Sequence, residues 1–174
     1  MKSKGSFNKS LAVGTWQYWY PNGQIQNIVG YVKGKWDGES LYYDENGALT
    51  SQETYKNGKK NGHCTYYYEN KQISSEGNYI NDSATGVWNY YYTNGTLSTS
   101  GTFKINKWDG KWTNWWENGN KKSEGNYQDN VMEGYWKFWF ENGNIQEISH
   151  RYHGQLHGDC KTYSIEGIES QTQY

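Results

Sequence analysis

Large side chains recur along this chain on two superposed rhythms. Within short stretches they occupy every second position, as in Trp16, Tyr18, Tyr20 and again in Trp88, Tyr90, Tyr92. A period of two puts such residues on one face of a β-strand. Over longer stretches the whole pattern returns every 24 residues, marked by Gly14, Gly38, Gly62, Gly86, Gly110, Gly134 and Gly158. With that glycine as offset 0, offset +8 is Asn22, Asn46, Asn70, Asn94, Asn118 and Asn142, and offset +9 is glycine except at Lys71. An Asn-Gly pair between aromatic-rich segments signals a two-residue type I′ turn, whose central residues both need positive φ. The spacing therefore predicts an all-β fold of seven 24-residue β-hairpin units, each turning at +8 and +9.

A two-residue turn there makes facing offsets sum to 17, which places glycine 0 opposite Tyr31, Tyr55, Tyr79, Phe103 and Tyr127 at +17. It likewise places Trp88 and Trp112 at +2 opposite Gly101 and Gly125 at +15, large rings against bare backbone. The pleat then gives an aromatic face carrying +2, +4, +6, +11 and +17. The opposite face is polar except at +5, where a ring recurs in every unit: Trp19, Tyr43, Tyr67, Tyr91, Trp115, Trp139 and Tyr163.

The connectors, such as Lys56-Asn57-Gly58-Lys59 and Asn81-Asp82-Ser83, carry turn chemistry of their own, so hairpin should follow hairpin without a linker. The expected organisation is a single repeat domain over 1–174, an elongated, solenoid-like twisted meander. Residues 1–13 form a partial unit in which Gly5-Ser6-Phe7 matches +15 to +17, and full units begin at 14, 38, 62, 86, 110, 134 and 158. One hairpin cannot offset its own backbone entropy, roughly 1–2 kcal/mol per residue, so units must support one another. Two open sheet edges predict a longer array or edge-to-edge self-association.

Composition sharpens this picture in two ways. Mean hydropathy is low at −1.15, yet 18% of the residues are aromatic, which argues for a folded chain. A formal net charge of −1 supplies no field to attract nucleic acid or anionic lipid. No apolar run suits a signal-peptide core or a membrane span, so a cytoplasmic location is the expectation.

Candidate chemistry is sparse. His150, His153, His157 and Cys160 are zinc-type ligands, but offsets +16, +19, +23 and +2 scatter them over both faces and two turns, so no metal or other cofactor is expected. Cys64 and Cys160 both stand at +2, in place of tryptophan, and read as buried fillers. Glu45, Glu69, Glu117 and Glu141 each precede the hairpin turn; paired carboxylates can hydrolyse glycosides, but turn chemistry accounts for this repetition without catalysis. The +5 rings either pack on an adjacent layer or on one another, or form a row about 10 Å apart that can anchor an extended partner.

The unit, Gly-x-Trp-x-Tyr-Tyr-Tyr-x-Asn-Gly-x-Ile/Leu followed by Glu-Gly-x-Tyr, resembles the MORN repeat, and more closely its bacterial, antitoxin-like variant. Gly14 to Tyr31, Gly86 to Phe103 and Gly110 to Tyr127 match best. The resemblance implies stacked antiparallel hairpins that serve as scaffolds, tethers or interaction modules, with no catalytic residues to carry over. The 24-residue period, the absence of lipid-binding basic residues and Lys71 depart from the usual pattern. The expected function is a non-catalytic scaffold for a protein partner or for self-assembly. The alternative is a carbohydrate or cell-envelope binding module in which the +5 rings stack on glycans.

Overall fold

The computed structural model of the protein describes residues 2–167 and 169–173. These form fifteen strands in sequence order, with no helix among the described residues. They are β1 Lys2–Asn8, β2 Leu11–Trp19, β3 Ile25–Val32, β4 Lys35–Tyr43, β5 Leu49–Lys56, β6 Lys59–Tyr67, β7 Ile73–Ile80 and β8 Ser83–Tyr91. Then come β9 Leu97–Lys104, β10 Lys107–Trp115, β11 Lys121–Gln128, β12 Val131–Trp139, β13 Ile145–Tyr152, β14 Gln155–Tyr163 and β15 Glu169–Gln173. The chain divides into two compact units, 1–84 and 85–174. In the first, antiparallel ladders link each strand from β1 to β7 with the next. In the second they do the same from β8 to β15. The all-β hairpin repeat expected from the sequence is present.

Near the base of each hairpin the register is the expected one. Gly14 faces Tyr31 and Trp16 faces Val29 in the first unit, and Gly110 faces Tyr127 and Trp112 faces Gly125 in the second. At the tip it is not. Offset +5 pairs with +11, as in Trp19 with Ile25 and Trp139 with Ile145, and the ladder shifts by one residue beside it. The cause is the turn. Only +9 has positive φ, 89° at Gly23 and 71° at Lys71. Its N–H donates to the carbonyl of +6, from Gly23 to Tyr20 at 3.0 Å and from Lys71 to Tyr68 at 2.9 Å. The tip is thus a three-residue loop ending in a left-handed residue, followed by a β-bulge, and the expected type I′ turn at +8 and +9 is corrected.

The asparagine at +8 has a different task. Its Oδ1 accepts the N–H of +10, at 3.0 Å in Asn22 and 2.9 Å in Asn118. Its Nδ2 donates to the +7 carbonyl of the following unit, from Asn22 to Glu45 at 2.8 Å and from Asn118 to Glu141 at 2.9 Å. At Asn22 and Asn118 one amide side chain closes its own turn and staples it to the next, whereas in the Asn46 turn Asp44 Oδ1 accepts the Ala48 N–H.

Type I′ backbone lies instead in the connectors. Both residues at +19 and +20 have positive φ, for example Asn57 and Gly58 at 53° and 85°, and Ile105 and Asn106 at 51° and 64°. The N–H of +20 donates to the +22 carbonyl one unit back, from Gly58 to Trp36 at 2.7 Å and from Asn130 to Trp108 at 2.9 Å. Units are therefore joined along both margins of the strands.

The core lies on the aromatic face. Trp16, Val29, Tyr55 and Cys64 are buried in the first unit, and Trp88, Trp112, Trp136 and Cys160 in the second, all at +2, +15 or +17. The indoles of Trp112 and Trp136 lie on Gly101 and Gly125, glycines of the preceding repeat, where any Cβ would fall inside the ring. Each tryptophan also faces the +15 residue of its own hairpin, as the sequence suggests, but leans onto the earlier strand. There its Nε1 reaches a backbone carbonyl, Thr102 at 3.1 Å for Trp112 and Asn126 at 3.2 Å for Trp136. Gly5 of β1 lies under Trp16 of β2 in the same way.

Candidate functional site

The +5 rings stand at the tip ends of the even-numbered strands: Trp19, Tyr43 and Tyr67 in the first unit, and Tyr91, Trp115, Trp139 and Tyr163 in the second. All seven are half-buried. The bulge changes their company. Because +5 pairs directly with +11, the aliphatic side chains at +11 share the face of the rings and do not lie on the aromatic face assigned to them from sequence. The pairs are Trp19 with Ile25, Tyr43 with Leu49 and Tyr67 with Ile73 in the first unit. In the second they are Tyr91 with Leu97, Trp115 with Lys121, Trp139 with Ile145 and Tyr163 with Glu169. What looked like isolated rings on a polar face is, in each unit, a set of rings coupled to their +11 partners, aliphatic except at Lys121 and Glu169 in the second. A one-residue register shift was the missing signal.

Six of the seven rings do not pack on one another. Trp19, Tyr43, Tyr67, Trp115, Trp139 and Tyr163 make no ring contact with each other among the described residues. Lys121 instead holds its ammonium 5.6 Å from the centre of the Trp139 ring, and Lys2 lies 5.8 Å from that of Trp19. Their backbone is fixed by the adjoining +6 rings. Tyr20 donates its hydroxyl to the carbonyl of Tyr43 at 2.9 Å, Tyr92 to that of Trp115 at 2.7 Å, and Trp116 its Nε1 to that of Trp139 at 3.2 Å. Burial, with Glu117 and Glu141 nearby, pushes the Tyr92 hydroxyl above its ordinary pKa.

The histidine cluster forms in part. Ser149 pairs with Cys160 and Arg151 with Leu156, so His150 faces the extra residues of the bulge between them. The His150 and His157 rings come to 6.0 Å, with Tyr135 at 4.9 Å from His150 and Tyr152 at 5.7 Å from His157. Cys160 is buried and apart, its thiol pushed up by desolvation, and the His153 backbone N–H bonds Glu133. Among the described residues no group of three or more His, Cys, Asp or Glu is placed to hold a metal ion. Cys64 is likewise buried and free. Glu45, Glu69, Glu117 and Glu141 all project into solvent at the hairpin tips.

Fold and surface together define a β-hairpin repeat protein whose distinctive features are recurring rings and staples. The model of the MORN repeat variant matches residues 12–33, 36–57, 60–81, 84–104, 108–129 and 132–151, and the chain belongs to that family. MORN repeats point to a repeat-based binding or scaffold role and are in general not enzymatic. No curated protein matches the sequence. Among solved structures, a chain of the "Crystal structure of GtfA/B complex bound to UDP and GlcNAc" is similar at 6% identity and a TM-score of 0.26, over 78% of this chain and 22% of that one. So slight a likeness bears on neither fold nor function. Among the described residues no helix is long and apolar enough to cross a membrane.

Proposed function

We propose that the chain is a non-catalytic scaffold that holds a protein partner, or further copies of itself, on the row of +5 rings and +11 aliphatic residues. The observation that carries this reading is the half-buried state of all seven rings, each paired across its own hairpin with the residue at +11. Aromatic side chains backed by fixed neighbours lose little conformational freedom on docking and are favoured interface anchors. Their spacing of two strands, roughly 10 Å, suits an extended chain crossing successive hairpins.

The test is light scattering behind size-exclusion chromatography over a concentration series, on the wild type and on Trp19→Ala/Trp115→Ala/Trp139→Ala. Concentration-dependent assembly of the wild type, lost in a variant with unchanged circular dichroism, is the expected result. A wild type that stays monomeric shifts the expectation to a foreign protein, sought by cross-linking from substituted cysteines at the row. A glycan array that retains the wild type but not the variant would replace this reading with carbohydrate binding.

A further inference from the structure

Offset +4 is a ring in Tyr18, Tyr42, Tyr66, Tyr90 and Phe138, but an amide in Asn114. Where +4 and +17 are both tyrosine their hydroxyls are bonded: Tyr18 with Tyr31 at 3.1 Å, Tyr42 with Tyr55 at 3.2 Å, and Tyr66 with Tyr79. Asn114 is too short to reach Tyr127 in this way. The Tyr127 hydroxyl accordingly has no hydrogen-bond partner among the described residues, although burial raises its pKa.

A cavity of about 290 Å3 opens at this place, lined by Tyr90, Thr99, Trp108, Trp112, Asn114 and Tyr127. Its floor is fixed. The Thr99 hydroxyl donates to Asn114 Oδ1 at 2.8 Å, and Asn114 Nδ2 donates to the Ser123 hydroxyl at 2.9 Å. Its wall is enlarged by Trp108, 39% exposed, at an offset where Ala12, Lys60, Ala84, Met132 and Leu156 stand elsewhere. The Trp108 ring is 4.5 Å from that of Trp112 and 4.9 Å, edge to face, from that of Tyr127. Trp36, the other tryptophan at this offset, bonds its Nε1 to the Tyr31 hydroxyl at 2.7 Å. Trp108 meets Phe103 at the corresponding place, so its Nε1 finds no acceptor among the described residues.

We infer that this cavity receives a tyrosine side chain presented by a partner polypeptide, the ring taking the place that Tyr18, Tyr42, Tyr66 and Tyr90 fill in their own repeats and the hydroxyl meeting those of Tyr127 and the Trp108 indole. The repeat itself supplies the template: a phenol ring stands at +4 in four other repeats, and here the Tyr127 hydroxyl and the Trp108 indole N–H, both in residues that line the cavity, have no hydrogen-bond partner among the described residues. The site lies on the aromatic face and does not rest on the ring row proposed above.

The experiment is an NMR titration of the Trp108 and Trp112 indole N–H signals with N-acetyl-tyrosinamide, N-acetyl-phenylalaninamide, p-cresol, methyl β-glucoside and a Gly-Tyr-Gly peptide blocked at both ends. Saturable shifts with the tyrosine amide at about millimolar concentration are expected, with the phenylalanine amide roughly threefold to tenfold weaker for want of the hydroxyl. Asn114→Tyr should abolish the shifts and raise the melting temperature. Should that variant fold poorly, Tyr127→Phe provides the second arm: it should bring the tyrosine and phenylalanine amides close to equal affinity. Absence of saturable shifts, undiminished binding by Asn114→Tyr, or discrimination unchanged in Tyr127→Phe would overturn the proposal. So would methyl β-glucoside binding more tightly than the tyrosine amide, or p-cresol binding more tightly than the peptide, which would assign the cavity to a sugar or to a free phenol.

Discussion

Offsets +15 and +2 do different work in the two compact units. In 85–174 the core is ring on backbone at Gly101 under Trp112 and Gly125 under Trp136, with Ser149 and Cys160 at these offsets toward its end. In 1–84 the middle repeats carry Ser40 and Cys64 at +2 and Glu53 at +15. With two indoles gone the space is filled by charge and phenols. Lys60 Nζ lies 2.9 Å from Glu53 Oε1 and 2.9 Å from the Tyr66 hydroxyl, while Tyr55 donates to Glu53 Oε2 at 2.5 Å. Glu53 is only 6% exposed. The comparison teaches that the hairpin ladder demands a filled volume at these offsets, not a particular chemistry. Two solutions with opposite vulnerabilities satisfy it, one to added volume and the other to lost charge.

The largest effect should come from adding volume where rings lie on glycine. Gly101→Ala should cost on the order of 3 kcal/mol, since Trp112 must leave both its seat and its carbonyl partner. Denaturant unfolding would show this, and a change below about 0.5 kcal/mol would remove the glycine requirement. Next comes loss of charge in the other unit. Lys60→Met leaves the Glu53 carboxylate buried without its cation and should cost about 2 kcal/mol, less than a fully enclosed pair because the Lys60 side chain is 28% exposed. Glu53→Leu combined with Lys60→Met should recover much of that loss. A double variant as unstable as the sum of both single ones would show that the ionic network, not the filled volume, is what the position requires.

Alkaline pH should probe the buried phenols of the first unit. Burial, above all, holds the Tyr42, Tyr55 and Tyr66 hydroxyls above their ordinary pKa, and Tyr18 is pushed up to about 12. A raised folded-state value means the native chain binds more protons than the unfolded chain above the free tyrosine value of about 10. Stability should therefore be flat below about pH 10 and fall as pH rises toward 12. Tyr42→Phe should make that fall shallower in denaturant titrations at stepped pH. An unchanged slope would mean that Tyr42 does not take part.

Much of this was legible in the residues. The 24-residue spacing fixed the hairpins, and the pairing of Gly14 with Tyr31 followed from counting. The tip register did not, because Asn-Gly serves a type I′ turn and a left-handed glycine closing a longer loop equally well; the backbone distinguishes them, with Gly23 but not Asn22 at positive φ and the Gly23 N–H on the Tyr20 carbonyl. The direction in which Trp112 leans was invisible for a related reason: Gly101 and Gly125 both face it, and its choice depends on the Thr102 carbonyl. The seven +5 rings could be named from the sequence, but their aliphatic companions at +11 could not be placed until the bulge was known.

The connectors give the smallest contrast and the sharpest test of the turn assignment. Asn57-Gly58 in the first unit suits a type I′ turn, whereas Ile105-Asn106 in the second puts a β-branched residue at a φ of 51° with its side chain 70% exposed. Left-handed backbone costs an ordinary L-residue roughly 1–2 kcal/mol, because Cβ crowds the carbonyl oxygen, and asparagine tolerates it better. No buried contact of the Ile105 side chain offsets the strain. Ile105→Asn should therefore raise stability by about 1 kcal/mol, and Asn57→Ile should lower it by a similar amount, both read from denaturant midpoints at constant m. The second substitution also exposes any contribution of the Asn57 N–H bond to Asp37 Oδ2 at 3.1 Å, which a change of side chain leaves in place only if the backbone keeps its turn. If Ile105→Asn is neutral while Asn57→Ile is costly, the strain at Ile105 is already relieved in solution and the connector there does not hold a type I′ backbone. If both are neutral, the connectors do not set the register between hairpins, and the staples at the Asn22 and Asn118 tips do.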